Sequence, residues 1–201
     1  MNQTNSRDRP APAATTGSDR DWSTARVLAT TTVAGLLLGP VDLLAQTTLP
    51  YPWANLANSG AVWTLAAFVM GSAVGRTALS VVAGLVVLPV AVESYYLAGV
   101  TFRHDSTATL WSSTTGLWLV LAVVVGPLAG LAGGAMRSPQ RATRFAAAAC
   151  AGAIFLLEAV AILGRSNADG GSNDNGWTAV LEIALAVAVP IITLTMTRSR
   201  R

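Results

Sequence analysis

The chain has one cysteine, one histidine and no lysine in 201 residues. A lone Cys150 cannot form a disulfide within the chain, and it excludes paired-cysteine metal sites and redox motifs. Its place in a run of alanines reads as a small buried packing residue. With His104 alone there is no H-E-x-x-H pair and no metalloprotease site of that kind, and neither a Ser–His pairing nor a glycine-rich phosphate loop stands at any span boundary. The polar segment Asn167–Gly176 is spaced like a calcium loop, but Gly171 stands where an acid is needed, so it reads as a flexible loop. No cofactor and no metal is expected. Charge is scarce too: charged residues make up 11% of the chain and hydrophobic residues 52%, whereas a soluble domain carries about a quarter charged. That balance excludes an ordinary soluble fold.

What the chain does have is long apolar runs. A helix needs about 20 apolar residues to cross a hydrocarbon core of roughly 30 Å, and runs of that order lie at about 25–47, 57–75, 78–100, 110–136, 144–164 and 177–197. The expected fold is all-α and integral to the membrane, with six transmembrane helices in one domain over 23–198. Residues 1–22 are rich in Thr, Ser, Ala and Pro and read as a disordered tail, with a short second tail at 199–201. The run from Val27 to Leu44 lacks a small-x-small cleavage site and reads as a retained first span.

Arginine sets the orientation. With both termini in the cytoplasm, Arg7, Arg9, Arg20, Arg26, Arg76, Arg137, Arg141, Arg144, Arg198, Arg200 and Arg201 lie inside, and only Arg103 and Arg165 lie outside. The expected location is the bacterial plasma membrane. The positive charge reflects topology and contact with anionic lipid, not nucleic-acid binding.

Four carboxylates sit inside the apolar runs. Asp42, Glu93, Glu158 and Glu182 each lie about one to two helical turns from the same, outer end of their span. No Lys or Arg within a span neutralises them. Like charges at one depth repel, so they must be protonated, bridged by a cation or hydrated. Intramembrane acids of this kind are functional candidates by default, and the competing reading makes each one a neutral partner of a neighbouring helix. Asn55 and Asn58, three apart and on one helical face, Tyr96 three beyond Glu93, and Trp53 converge on the same level. Together these eight residues form the expected ligand-binding set, because a cation gains from carboxylates and from aromatic faces alike.

Small residues mark close helix contacts: Gly126, Gly130 and Gly134, Gly71 and Gly75, and Ala147, Ala151 and Gly152. Pro40, Pro89, Pro127 and Pro190 interrupt four spans, with Pro40 and Pro89 just before an acid. Gly-Pro recurs in the first and fourth spans, which is compatible with a 3+3 inverted repeat.

The segment from Trp53 through Ala-Asn-Ser-Gly-Ala-Val-Trp to Gly71, followed by Ala91-Val-Glu-Ser-Tyr-Tyr, resembles a family of small actinobacterial six-span membrane proteins of unknown function. In size and span count the chain is also similar to the substrate-binding membrane subunits of energy-coupling-factor transporters. That likeness implies six helices around an outward pocket. The expected function is non-enzymatic: binding or translocation of a small cationic or polar solute, or of protons, through an outward acidic and aromatic pocket. The alternative is a structural or regulatory membrane protein whose acids are neutral hydrogen-bonders between helices. Expected partners are the lipid bilayer, the solute, and a further membrane protein or a second copy.

Overall fold

The computed structural model describes residues 23–168 and 173–198. The two predicted tails, at 1–22 and 199–201, and the centre of the polar loop at 169–172 lie outside the described residues. The described chain is all-helical: α1 Thr24–Thr48, α2 Trp53–Ala57, α3 Gly60–Val74, α4 Thr77–Phe102, α5 Ser113–Ala135, α6 Arg141–Ala168 and α7 Asn173–Arg198. A single 3₁₀ turn, Thr107–Trp111, precedes α5.

Local chemistry explains where these helices begin and end. The side chains of Ser23 and Ser112 accept the N–H of Arg26 and Thr115, each at 3.2 Å, and start α1 and α5. Gly75 ends α3 with φ 80°, a left-handed conformation that suits glycine. The chain then turns directly into α4, as the Gly75-Arg76 pair predicts.

Five helices are long and apolar enough to cross a membrane, namely α1, α4, α5, α6 and α7. Their outward faces carry large apolar side chains such as Leu44, Val120, Leu128, Leu157 and Val187, each about 60% exposed or more. Water would not tolerate such a surface and lipid requires it. The chain is therefore a multi-pass integral membrane protein.

The predicted second span, 57–75, is the one that changes. Only its part from Gly60 forms a long helix, the 15-residue α3, and a break at Asn58-Ser59 separates this from the five-residue α2 that ends at Ala57. At the helical rise α3 is about 22 Å long, shorter than the roughly 30 Å core. The break arises because Ser59 is extended and caps α3 through its side chain, which ends any helix running in from α2.

Close packing follows the small residues. A Cβ on Gly130 would come within 3.2 Å of the Gly84 Cα, and one on Gly84 would come within 2.6 Å of the Gly126 carbonyl carbon. Thus α4 and α5 cross backbone to backbone, with Gly71 of α3 against Gly130 as well. Ser80 adds a hydrogen bond from α4 to the Gly71 carbonyl at 2.9 Å. α1 packs on α4 through Gly35 and Gly39, where Ser94 donates to the Gly35 carbonyl at 2.9 Å. Gly152 lets α6 meet α7 beside Pro190. The core between these contacts holds Phe68, Val87, Leu88, Val92, Ala129 and Phe155. Cys150 is not part of it. The inward face of α6 is Ala147, Ala148, Ala151 and Phe155, so the thiol lies on the opposite, exposed face.

Candidate functional site

The short helix α3 organises the site. Its N-terminus is sunk among the long helices, since α6 continues about 15 Å beyond Glu158, the residue that meets it. A helix start leaves backbone N–H groups without partners in the helix, and inside the bundle another group must supply them. Glu158 does. Its Oε1 accepts the Gly60 N–H at 3.1 Å, and its Oε2 accepts the Ala61 N–H at 2.6 Å and the Ser59 hydroxyl at 3.0 Å. The carboxylate also meets the positive end of the helix dipole, which favours its charge.

The other end of α3 is held in mirror fashion. Arg137, in the turn between α5 and α6, donates from Nε to the Ser72 carbonyl and from Nη2 to the Ala73 carbonyl, both at 2.6 Å. A cation at the carbonyl end completes the match to the dipole.

Glu182 of α7 lies beside this cap. It is fully buried, and among the described residues neither carboxyl oxygen has a hydrogen-bond partner. Ser59 and Glu158 are the polar groups next to it. Ser59 cannot serve it as a donor, because its one proton goes to Glu158 while its oxygen accepts from Ala61 and Val62.

A separate network starts at Asp42. The buried carboxylate accepts from Gln46 Nε2 at 2.7 Å, with the Trp63 side chain also beside it. The Tyr95 hydroxyl then donates to Gln46 Oε1 at 3.1 Å. The Tyr95 ring stands edge-on to Trp63, with centroids 6.0 Å apart, and to Tyr96 at 5.3 Å. These three rings line a cavity of about 470 Å³ between α3, α4, α5 and α6. Trp118, Leu121 and Ile154 extend its apolar wall, and Asn58, Arg103, Asp105 and Glu158 supply its polar groups. Arg103 and Asp105 pair at 3.0 Å.

The eight predicted residues therefore divide. Asn58, Tyr96 and Glu158 line the cavity. Glu182 adjoins Glu158, and Asp42 lies behind the wall, beside Trp63 and linked to Tyr95 through Gln46. The other three stand apart. Glu93 is exposed, on an outward arc of α4 with Leu97, and does not line the cavity. Three residues advance a helix by about 300°, so Tyr96 turns to the edge of the cavity while Glu93 stays outside. Asn55 is exposed and donates to the Tyr51 hydroxyl. The helical face it was expected to share with Asn58 ends where α2 stops at Ala57. Trp53 is half-exposed at the start of α2. The four carboxylates thus do not form one cluster. Only Glu158 and Glu182 come together.

Several contributors had no signal of their own in the sequence. Gln46 and Arg103 are single polar residues near span ends, and Trp63 and Tyr95 look like ordinary interfacial aromatics. Arg137 is one of many arginines. Its role as a cap depends on a helix 64 residues away in sequence.

No curated protein and no solved structure matches the chain. Residues 18–201 match the model of a family of unknown function, DUF6518, and the chain belongs to that family.

Proposed function

We propose that this protein binds a small cationic or polar solute, as a step in recognition or translocation across the bacterial plasma membrane. The observation that carries this reading is the cavity of about 470 Å³ walled by Trp63, Tyr95 and Tyr96. Its volume falls within the roughly 300–1,000 Å³ of small-molecule sites. The aromatic faces suit an organic cation or an amphipathic solute with an apolar body, and Asn58 and Asp105 offer polar contacts beside them. With the arginine-rich segments inside, the cavity lies toward the outer face. The role is binding or transport, not catalysis.

A second reading has its own support. Glu158 spends its acceptors on the start of α3, which is what a structural or regulatory membrane protein would do with an intramembrane acid.

A thermal-shift screen of the purified protein in detergent, using organic cations and neutral molecules of the same shape, separates the two. Under the solute reading some compound raises the melting temperature of wild type, and Tyr96→Ala or Trp63→Ala abolishes the rise in a protein that still folds. Protection of none, or protection unchanged in both variants, favours the structural reading.

A further inference from the structure

The buried end of Glu182 is incomplete as it stands. A carboxylate without a donor at membrane depth is far too costly to persist as a bare charge. Its neighbours make this worse. Glu158 is a second carboxylate, which has no proton to donate and already accepts from Gly60, Ala61 and Ser59. The N–H groups that would attract an anion at the start of α3 therefore serve Glu158. Ser59 has no proton left to give. Among the described side chains α3 and α7 carry no Lys or Arg, and on α6 Arg141 and Arg144 stand about four turns or more from Glu158, at the other end of the helix. α2, which also packs on α7, carries no titratable group.

We propose that Glu182, with Glu158 and the Ser59 oxygen, is a binding site for one monovalent cation, either a proton or a sodium ion. Both occupants answer the same need. A proton on Glu182 gives that carboxyl a donor to place on Glu158 Oε1, which otherwise accepts only from Gly60. A sodium ion accepts carboxylate and hydroxyl oxygens directly. In either case one positive charge beside two carboxylates leaves a single net negative charge, and that one faces the positive end of α3. Occupancy also ties α7 to α6 and to the start of α3, the helix whose next turn contributes Trp63 and Thr64 to the cavity wall. Glu182 itself does not line the cavity, so this site does not need a solute, although it shares Glu158 with the cavity wall.

The test uses the full-length protein in detergent and in nanodiscs. Melting is measured in sodium chloride against choline chloride at equal ionic strength, and infrared spectra are searched for the carbonyl stretch of a protonated carboxyl. If sodium is the occupant, it raises the melting temperature of wild type selectively. If a proton is, the carboxyl band is present and sodium has no selective effect. Either signature must vanish in Glu182→Gln, whose amide provides its own donors, and must survive in the outward-facing Glu93→Gln. A wild type with neither signature overturns the proposal, as does a signature that persists in Glu182→Gln. If Glu182→Gln does not fold, Asp42→Asn removes the other buried acid of the spans. A band or sodium effect that survives it supports the Glu182 site, and its loss overturns it. Solute protection at Tyr96 and Trp63 is read separately, so either proposal can fail alone.

Discussion

Glu158 and Arg137 hold opposite ends of one helix. The carboxylate takes the N–H groups of Gly60 and Ala61, and the guanidinium takes the carbonyls of Ser72 and Ala73. A 15-residue helix too short to bring both ends to the membrane surface is thereby closed at each end by a side chain of the matching charge. Discontinuous helices inside transporters often aim such an N-terminus at an anionic substrate group. Here the protein's own carboxylate fills that position, which removes an anion from the plausible ligands of the site.

Replacing Glu158 with Ala should destabilise the fold by on the order of 3 kcal/mol, because it leaves two backbone donors and the Ser59 hydroxyl without an acceptor. Glu158→Gln keeps one acceptor oxygen and should lose about half as much. Unfolding in detergent, followed by circular dichroism, checks the order. A Gln variant as damaged as the Ala variant would mean that charge, not hydrogen bonding, holds the cap.

Arg137→Ala should lose about 1 kcal/mol, less than Glu158→Ala, since Arg137 is exposed and water can replace it at the carbonyls. The two caps are about 22 Å apart along α3, far enough for independent sites to add to within about 0.5 kcal/mol. A double variant that departs from the sum by more would show that α3 frays as a unit from both ends.

That the acids sit within long helices was legible in the sequence, but the direction they face was not. Apolar run length located five long helices to within a few residues, because lipid leaves no other way to satisfy the backbone. The break at Asn58-Ser59 went unseen because the cap that stabilises it comes from Glu158, 97 residues from Ala61. Glu93 and Glu182 look alike as sequence, one acid within an aliphatic run, yet one faces outward and the other is fully buried. In a helix apolar on every side, no periodic pattern marks the inner face. Glycine was the better guide: the predicted contacts at Gly71, Gly126 and Gly130 are the ones that bring α3, α4 and α5 together.

Gly130→Leu should therefore prevent stable folding, since even a Cβ there would meet the backbone of α4 and a larger side chain would force the helices apart. Gly116→Leu is the control, because nothing lies within 4 Å of the position its Cβ would take. Detergent-solubilised yield and size-exclusion profile distinguish them. A monodisperse Gly130→Leu protein would contradict the crossing of α4 and α5.

Reporter fusions address the sides of the membrane. The turn at Gly75-Arg76 and the turn at Arg137 touch through the α3 cap, so reporters inserted after Arg76 and after Ser138 should lie on one side. By the arginine bias that side is the cytoplasm. Opposite signals would break the packing of α3 on Arg137.

Glu93 supplies the last expectation, because its outward position reverses what spacing suggests. An acid that faces lipid on α4 contributes nothing to the cavity wall, and its insertion cost at the helix centre is about 2.5–3.5 kcal/mol. Glu93→Leu should consequently leave any solute protection intact and raise the melting temperature of the isolated protein in detergent, since leucine matches neighbours such as Leu97. A fall in melting temperature, together with a smaller assembly on size exclusion, would instead assign the Glu93 face to contact with a second copy. Loss of solute protection with stability unchanged would return Glu93 to the cavity and require α4 to rotate from the position described.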